Sequence, residues 1–299
     1  MIAGGTGLSL ILLAGLSFAE RLSEEGPTAT PLSRPVAASL SPVLIRSVSE
    51  SAGTLRLSGT AEPSSVVVLT DRGERVRQVR TDAAGSWSAS LPVSTAPMAI
   101  EATLYSGQGA ANGTDTVEIR GVQTVFRIHR AVDRDAGAPP LILLGAPAAP
   151  SRIVSTPFGA SPREGALSVG AVDYDDAGGV IFSGDADLPG RVRLYVADSA
   201  IGETRVGADG RWAFIAGAVM PLGEYRVRAE LLPEDGSARA SVSVPFQRLP
   251  PLADQGGEDG ALSVGFEPGR WQIRRRLAGG GVQSTAIFAP RQPTPPEPR

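Results

Sequence analysis

Two stretches of this 299-residue chain repeat one another without a gap. SAGTLRLSGTAEPSSVVVL, from Ser51, aligns with DAGGVIFSGDADLPGRVRL, from Asp176, so that Ala52-Gly53 falls on Ala177-Gly178, Ser58-Gly59 on Ser183-Gly184 and Ala61 on Ala186. Gly85 and Trp87 fall on Gly210 and Trp212 at the same separation of 125 positions. A unit duplicated at this spacing leaves room for roughly 80 ordered residues per copy, the scale of one β-sandwich.

The local pattern inside each copy is that of strands and tight turns. MAIEATLY and GEYRVRAELL place an apolar residue at every second position, the period of a strand with one buried face. TDAAGSW and GADGRW put a glycine ahead of each repeated tryptophan, and Asn112-Gly113 adds another hairpin signal, because glycine reaches the positive φ that such turns require. With 36 Gly and 25 Pro in the chain, long helices have little room. The fold class expected is all-β: two Ig-like β-sandwiches of about seven short strands each, in series. A short α-helical C-terminal segment and a hydrophobic N-terminal helix complete the expectation. The train SGTAEP, a turn, DAAGSWS and a final alternating pair resembles the bacterial Ig-like domain families found as tandem modules on exported and surface proteins. The resemblance covers Pro42 to Arg120 and Leu167 to Arg248. It implies a spacer or adhesive module with no catalytic set.

The residue inventory excludes much chemistry. All 28 basic residues are Arg, set against 31 Asp plus Glu, so no broadly basic surface exists to displace counterions from nucleic acid. Without Lys there is no Walker-type phosphate loop and no Schiff base. Without Cys there is no thiol nucleophile, disulfide or Cys-ligated metal, and one histidine cannot make a histidine pair. No catalytic residue, metal or cofactor is expected, and the chain reads as a non-enzyme. His129, in TVFRIHRAV, reads as a solvent-facing strand residue, with a catalytic base as the alternative. Trp87 and Trp212 read as core plugs, with sugar-stacking platforms as the alternative. The run Asp173 to Asp176, with Asp185 and Asp187 beyond it, reads as a solvated turn that lacks EF-hand spacing for calcium. In a reading from another class, Asp173, Asp175 or Asp185 would serve an accessory carbohydrate-active enzyme.

Beyond the repeats the chain divides by composition. Residues 1–19 carry no charge, and LSLILLAGLSFA has the length of a signal-peptide hydrophobic region, so this segment is expected to be a signal peptide or an uncleaved membrane anchor. Residues 20–41, rich in Pro, Ser, Thr and Glu, read as a flexible tether. The first Ig-like domain is assigned to 42–120 and the second to 166–248. Between them, 121–165 reads as a linker with a β-hairpin that either extends the second sandwich or bridges both, because LILLG would otherwise expose an apolar run. A second linker, 249–260, leads to a distinct segment at 261–290 and a Pro-rich tail at 291–299.

In that segment, the strand LSVGFEPG, the helix opening WQIRRRL, the break GGGV and a second helical start STAIFA resemble the first part of a LysM peptidoglycan-binding domain. The family binds N-acetylglucosamine-containing glycans in a groove between two loops of a βααβ fold. The resemblance covers about 30 residues and lacks the second strand, and Pro268-Gly269 runs into Arg270-Trp271 about two residues early. It implies glycan contact by Pro268, Gly269 and Arg270, with Trp271 and Ile273 in the core. Arg274, Arg275 and Arg276 are expected on a solvated helix face, where they would contact anionic wall polymers.

These features point to an exported protein of the periplasm or cell envelope, anchored in the membrane where residues 1–19 are retained. Peptidoglycan or another envelope glycan is the expected partner, with other envelope proteins as further ones. The alternative is a protein–protein scaffold whose C-terminal segment no longer binds glycan.

Overall fold

The repeated Gly and Trp meet across one pair of strands, and that contact organises each copy. In the computed structural model, which describes residues 42–106, 117–159, 167–217, 219–232, 238–251, 262–277 and 280–291, Gly59 pairs with Trp87 and Gly184 with Trp212. The indole lies over the glycine: a Cβ at Gly59 would sit 2.7 Å from Trp87 Cζ2 and 1.9 Å from the Leu44 carbonyl oxygen. At Gly184 the corresponding distances are 2.9 Å to Trp212 Cζ2 and 2.0 Å to the Ser168 oxygen. Both tryptophans are buried among aliphatic side chains, so they are core plugs rather than sugar platforms. Gly85 and Gly210, at φ +77° and +78°, make the turn that delivers each of them, and each carbonyl accepts the amide of the repeated alanine, Ala61 or Ala186, at 2.8 Å.

In the first copy, β1 (Leu44–Ser51), β2 (Thr54–Thr60) and β5 (Ser86–Pro92) form one sheet. Opposite lie β3 (Val66–Asp71), β4 (Glu74–Arg80), β6 (Met98–Ser106) and β7 (Val117–Ile128), in the order β4-β3-β6-β7. In the second, β10 (Ala171–Asp175), β11 (Val180–Asp185) and β14 (Arg211–Ile215) face β12 (Arg191–Val196), β13 (Ser199–Arg205), β15 (Gly223–Leu232) and β16 (Ala240–Arg248), ordered β13-β12-β15-β16. Every pairing is antiparallel. The two copies thus share one strand order, a three-stranded sheet over a four-stranded one, which is that of an Ig-like sandwich. The hairpins β3–β4 and β12–β13 turn through Arg72-Gly73 and Ala197-Asp198, all at positive φ, as the right-handed strand twist demands.

Sequence outside the repeat then extends one sheet of each copy. A hairpin of β8 (Leu141–Ala146) and β9 (Ala149–Ser155) adds to β7, giving six strands, β4-β3-β6-β7-β8-β9. The strands β17 (Leu262–Glu267), β18 (Arg270–Arg276) and β19 (Val282–Phe288) add to β10, giving β14-β11-β10-β19-β18-β17. The outer faces of these six-stranded sheets pack on each other around Phe126, Ile128, Leu141, Leu143, Trp271, Ile273 and Ile287, a third core between the two sandwich cores. LILLG is buried at every position for this reason: Ile142 and Leu144 point into the first sandwich, Leu141 and Leu143 into the third core.

Two expectations are corrected here. The segment 261–290 contains no helix among its described residues: WQIRRR lies in β18 and VQSTAIF forms β19, so the LysM-like helices are absent. β7 runs unbroken across the boundary expected at residue 120. The two sandwiches follow one another along the chain and share a core. The sole helix among the described residues is the single turn α1 (Ala131–Asp135). None is long and apolar enough to cross a membrane, and residues 1–19 and 20–41 lie outside the described residues.

Candidate functional site

Pro268 and Gly269 form the turn between β17 and β18, with Gly269 at φ +72° and its carbonyl accepting the Ala289 amide at 2.9 Å. With Arg270 they line a cleft of about 460 Å³ whose opposite wall comes from the ends of β15 and β16, including Glu224, Tyr225, Arg226 and Gln247. The three residues expected to touch glycan are therefore brought together at an open cleft. Its charges are largely matched, since Arg270 pairs with Glu267 and Arg226 with Asp198. Such a wall of mixed polar groups suits a neutral, hydroxyl-rich ligand better than a polyanion.

The arginine cluster is not brought together. Strand alternation sends Arg274 to the face of Arg270 and Gln272, where it donates to the Pro250 carbonyl, and sends Arg275 into the third core with Trp271 and Ile273. Arg276 lies exposed at the end of β18. With Arg275 buried between the sheets, the anionic-polymer face expected of Arg274, Arg275 and Arg276 is corrected.

Arg275 belongs to a buried polar cluster that joins the two sandwiches. Its guanidinium donates to Gln283 Oε1 at 3.0 and 2.7 Å and to Thr124 Oγ1, lies 3.7 Å from Glu101 and sits over the Phe126 ring. Gln283 Nε2 donates in turn to the Ala146 carbonyl at 3.0 Å. In the same layer Asp173, 2 % exposed, accepts from the Ser151 amide at 2.8 Å and from the Ser151 and Thr285 hydroxyls at 2.6 Å each. Burial pushes the Asp173 carboxyl above the usual carboxylate range, and the bonds from Ser151 and Thr285, with the charge of Arg275, pull against that shift. Burial likewise lowers Arg275, while Glu101 and Asp173 oppose it.

The other carboxylates of the acidic run are used locally. Asp175 Oδ1 accepts the Gly179 amide, closing the β10–β11 turn, and Asp176 Oδ2 accepts the Val282 amide. Among the described residues, no group of three or more acidic or histidine side chains is placed to hold a metal ion. His129 is not solvent-facing: Nε2 meets the Ala138 carbonyl at 2.9 Å and Nδ1 meets Arg127 Nη2 at 3.3 Å. Arg127, 3 % exposed, in turn holds Glu50 through two bonds of 2.8 and 2.9 Å.

Sequence reasoning missed this interlayer cluster, read Asp173 as solvated and set Arg275 outside. The available signal was LILLG, a strand that needs two buried faces and hence a second layer to cover it.

No protein-family model and no curated protein matches the chain. Among solved structures it is similar to the fibronectin(III)-like modules of Clostridium thermocellum CbhA, at 14 % identity over 69 % of this chain and 93 % of that one, with a TM-score of 0.20. It is also similar to the central fibronectin-III array of RIM-binding protein, at 10 % identity over 80 % of each chain, with a TM-score of 0.24. At these scores neither alignment establishes a common arrangement of domains, and the Ig-like assignment rests on the strand order and register of the two copies.

Proposed function

We propose that the protein is a non-enzymatic spacer and adhesive of the cell envelope. Exported through residues 1–19 and held by the 20–41 tether, it presents a stiff double sandwich to envelope glycan, with contact at the cleft of Pro268, Gly269 and Arg270. The observation that carries this reading is the third core, because two Ig-like units locked face to face keep a fixed distance where a linker would let them swing. The neutral, polar character of the cleft supports peptidoglycan as the partner.

The test is co-sedimentation of the full chain with purified peptidoglycan sacculi, together with binding to soluble N-acetylglucosamine oligomers. Arg270→Ala and Glu224→Ala are expected to weaken both while thermal unfolding stays unchanged, and salt is expected to matter little. Absence of sacculus binding by the unaltered chain would remove glycan as the partner. A protein–protein scaffold would then lead, on the exposed apolar side chains Ile215, Val219 and Leu222 at one end of the second sandwich.

A further inference from the structure

Away from the proposed glycan cleft, a second cleft of about 340 Å³ opens where the extended sheet of the first sandwich runs out beneath β1. Arg46 enters it from β1, Gln123 from β7, Arg152 from β9 and Arg211 from β14 of the second sandwich. Arg46, Arg152 and Arg211 take part in no ion pair among the described residues, and no carboxylate lines the cleft. The acidic residue opposite Arg211 in strand register is Asp185, whose single charge leaves most of the positive charge unbalanced. Among the described residues, Arg152 Nε is buried without a hydrogen-bond partner, and Arg152 Nη2 reaches the Arg46 carbonyl at 3.4 Å. Gln123 is oriented by accepting the Ile45 amide on Oε1 at 2.7 Å, which leaves its amide nitrogen as a further donor on the same wall.

Three like-charged groups on three strands of two sandwiches, one with an unmet buried donor, are arranged to receive an anion. A carboxylate carries one charge and is satisfied by a single guanidinium fork. A phosphate monoester carries close to two charges at neutral pH and offers three acceptor oxygens, one for each arginine. The cleft also exceeds the volume of a phosphate group, so it has room for the sugar-sized body of an ester. We propose that this cleft binds a phosphate monoester, with the phosphate held by Arg46, Arg152, Arg211 and the Gln123 amide. In keeping with the like charges gathered there, Arg152 is lowered below its usual range, first by burial and then by the charge of Arg211.

Calorimetric titration of the full chain at low salt tests this with glucose 6-phosphate, glucose and inorganic phosphate as probes. Glucose 6-phosphate is expected to bind and raise the unfolding temperature, and glucose to do neither. Arg152→Met, which keeps the buried stem and removes the charge, should weaken binding by about tenfold or more. Arg46→Ala, at an exposed position, should do the same without affecting folding. Arg77→Ala, on the exposed strand β4, removes the same charge elsewhere and should leave binding intact. Inorganic phosphate binding as tightly as the ester would identify the free ion as the source, and tighter binding of glucose 6-phosphate would identify the ester. No binding of either phosphate at about 10 mM, or equal weakening by Arg77→Ala, would overturn the assignment.

Discussion

If the third core joins the sandwiches into one cooperative body, removing its largest side chain should let them unfold separately. Trp271 is 1 % exposed and meets Phe158 and Phe266 edge-on at centroid distances of 5.5 and 4.9 Å, with the Arg130 guanidinium 4.9 Å from its ring. Truncating a buried tryptophan costs about 3–5 kcal/mol, and the lost ring pairs place this site toward the upper end. The part of that loss carried by Phe158 and Arg130 falls on the contact between the sandwiches, since Trp271 belongs to neither inner core, while the Phe266 pair lies within its own sheet. At a urea dependence of about 2–3 kcal/mol per M, the less stable sandwich should unfold roughly 1–2 M earlier. The remaining tryptophans provide the assay, because Trp87 reports the first sandwich and Trp212 the second. In a Trp271→Phe background, single-tryptophan chains made by Trp212→Phe or Trp87→Phe should give superimposable urea curves. In a Trp271→Ala background the two curves should part. Curves that already differ with Phe at 271, or that stay superimposed at an unchanged midpoint with Ala, would refute the coupling.

The repeated glycines give a second prediction: Gly59→Ala or Gly184→Ala, whose methyl would fall 1.9 or 2.0 Å from a backbone oxygen, should cost its own sandwich about 3 kcal/mol or more, measured by thermal unfolding. Trp87→Phe should not rescue Gly59→Ala, because the Leu44 carbonyl remains. Glu50→Gln, which breaks the buried bidentate pair with Arg127, should cost about 3–5 kcal/mol, while Glu50→Leu with Arg127→Met should recover most of it; equal losses in the single and double variants would count against the pair. The Asp173 carboxyl is raised by burial, so in the folded protein it keeps its proton to higher pH than in the unfolded chain. Its contribution is fully present below the unfolded carboxylate range, near pH 4, and is lost as pH rises through the elevated folded value. Asp173→Asn, which cannot ionise, should flatten that decline in denaturant midpoints measured from about pH 4 upward, and an unchanged profile would exclude Asp173 as its source.

What could be read from the sequence depended on how far apart the interacting residues lie. Trp87 and Gly59 are set in register by one strand pair, and the repeat displays that pairing twice, so their packing role was visible. β18 was misread because RWQIRRR satisfies two patterns. As a helix start it resembles a known family; as a strand it alternates Trp271, Ile273 and Arg275 against Gln272 and Arg274, and the glycines that follow close a hairpin. The strand prevails because the partner surface exists: β19 finds an open edge at β10, and Leu141 and Leu143 need covering. No local pattern foretells that surface. The partners of Arg275 and Asp173 come from β6, β7, β9 and β19, up to 174 positions away (Arg275 to Glu101), and an arginine that looks solvated in sequence is buried only once the two sheets meet.

Five of the seven buried residues of the third core, Leu141, Leu143, Trp271, Ile273 and Ile287, come from segments outside the duplicated strands. Each copy brings its own sandwich, with a strand at the sheet edge that is open to further pairing, β7 in the first and β10 in the second. The non-repeated segments fill these edges on different sheets: β8–β9 extend the four-stranded sheet of the first copy, and β19–β18–β17 extend the three-stranded sheet of the second. An exposed edge invites pairing with another chain, so adding strands there removes a liability, and the added strands bring the apolar faces that then need burial. Because one extension supplies Leu141 and Leu143 and the other Trp271, Ile273 and Ile287, the two faces cover each other. Fixed spacing is therefore a property of the unique segments, and a chain of the two repeats alone would be a hinged pair.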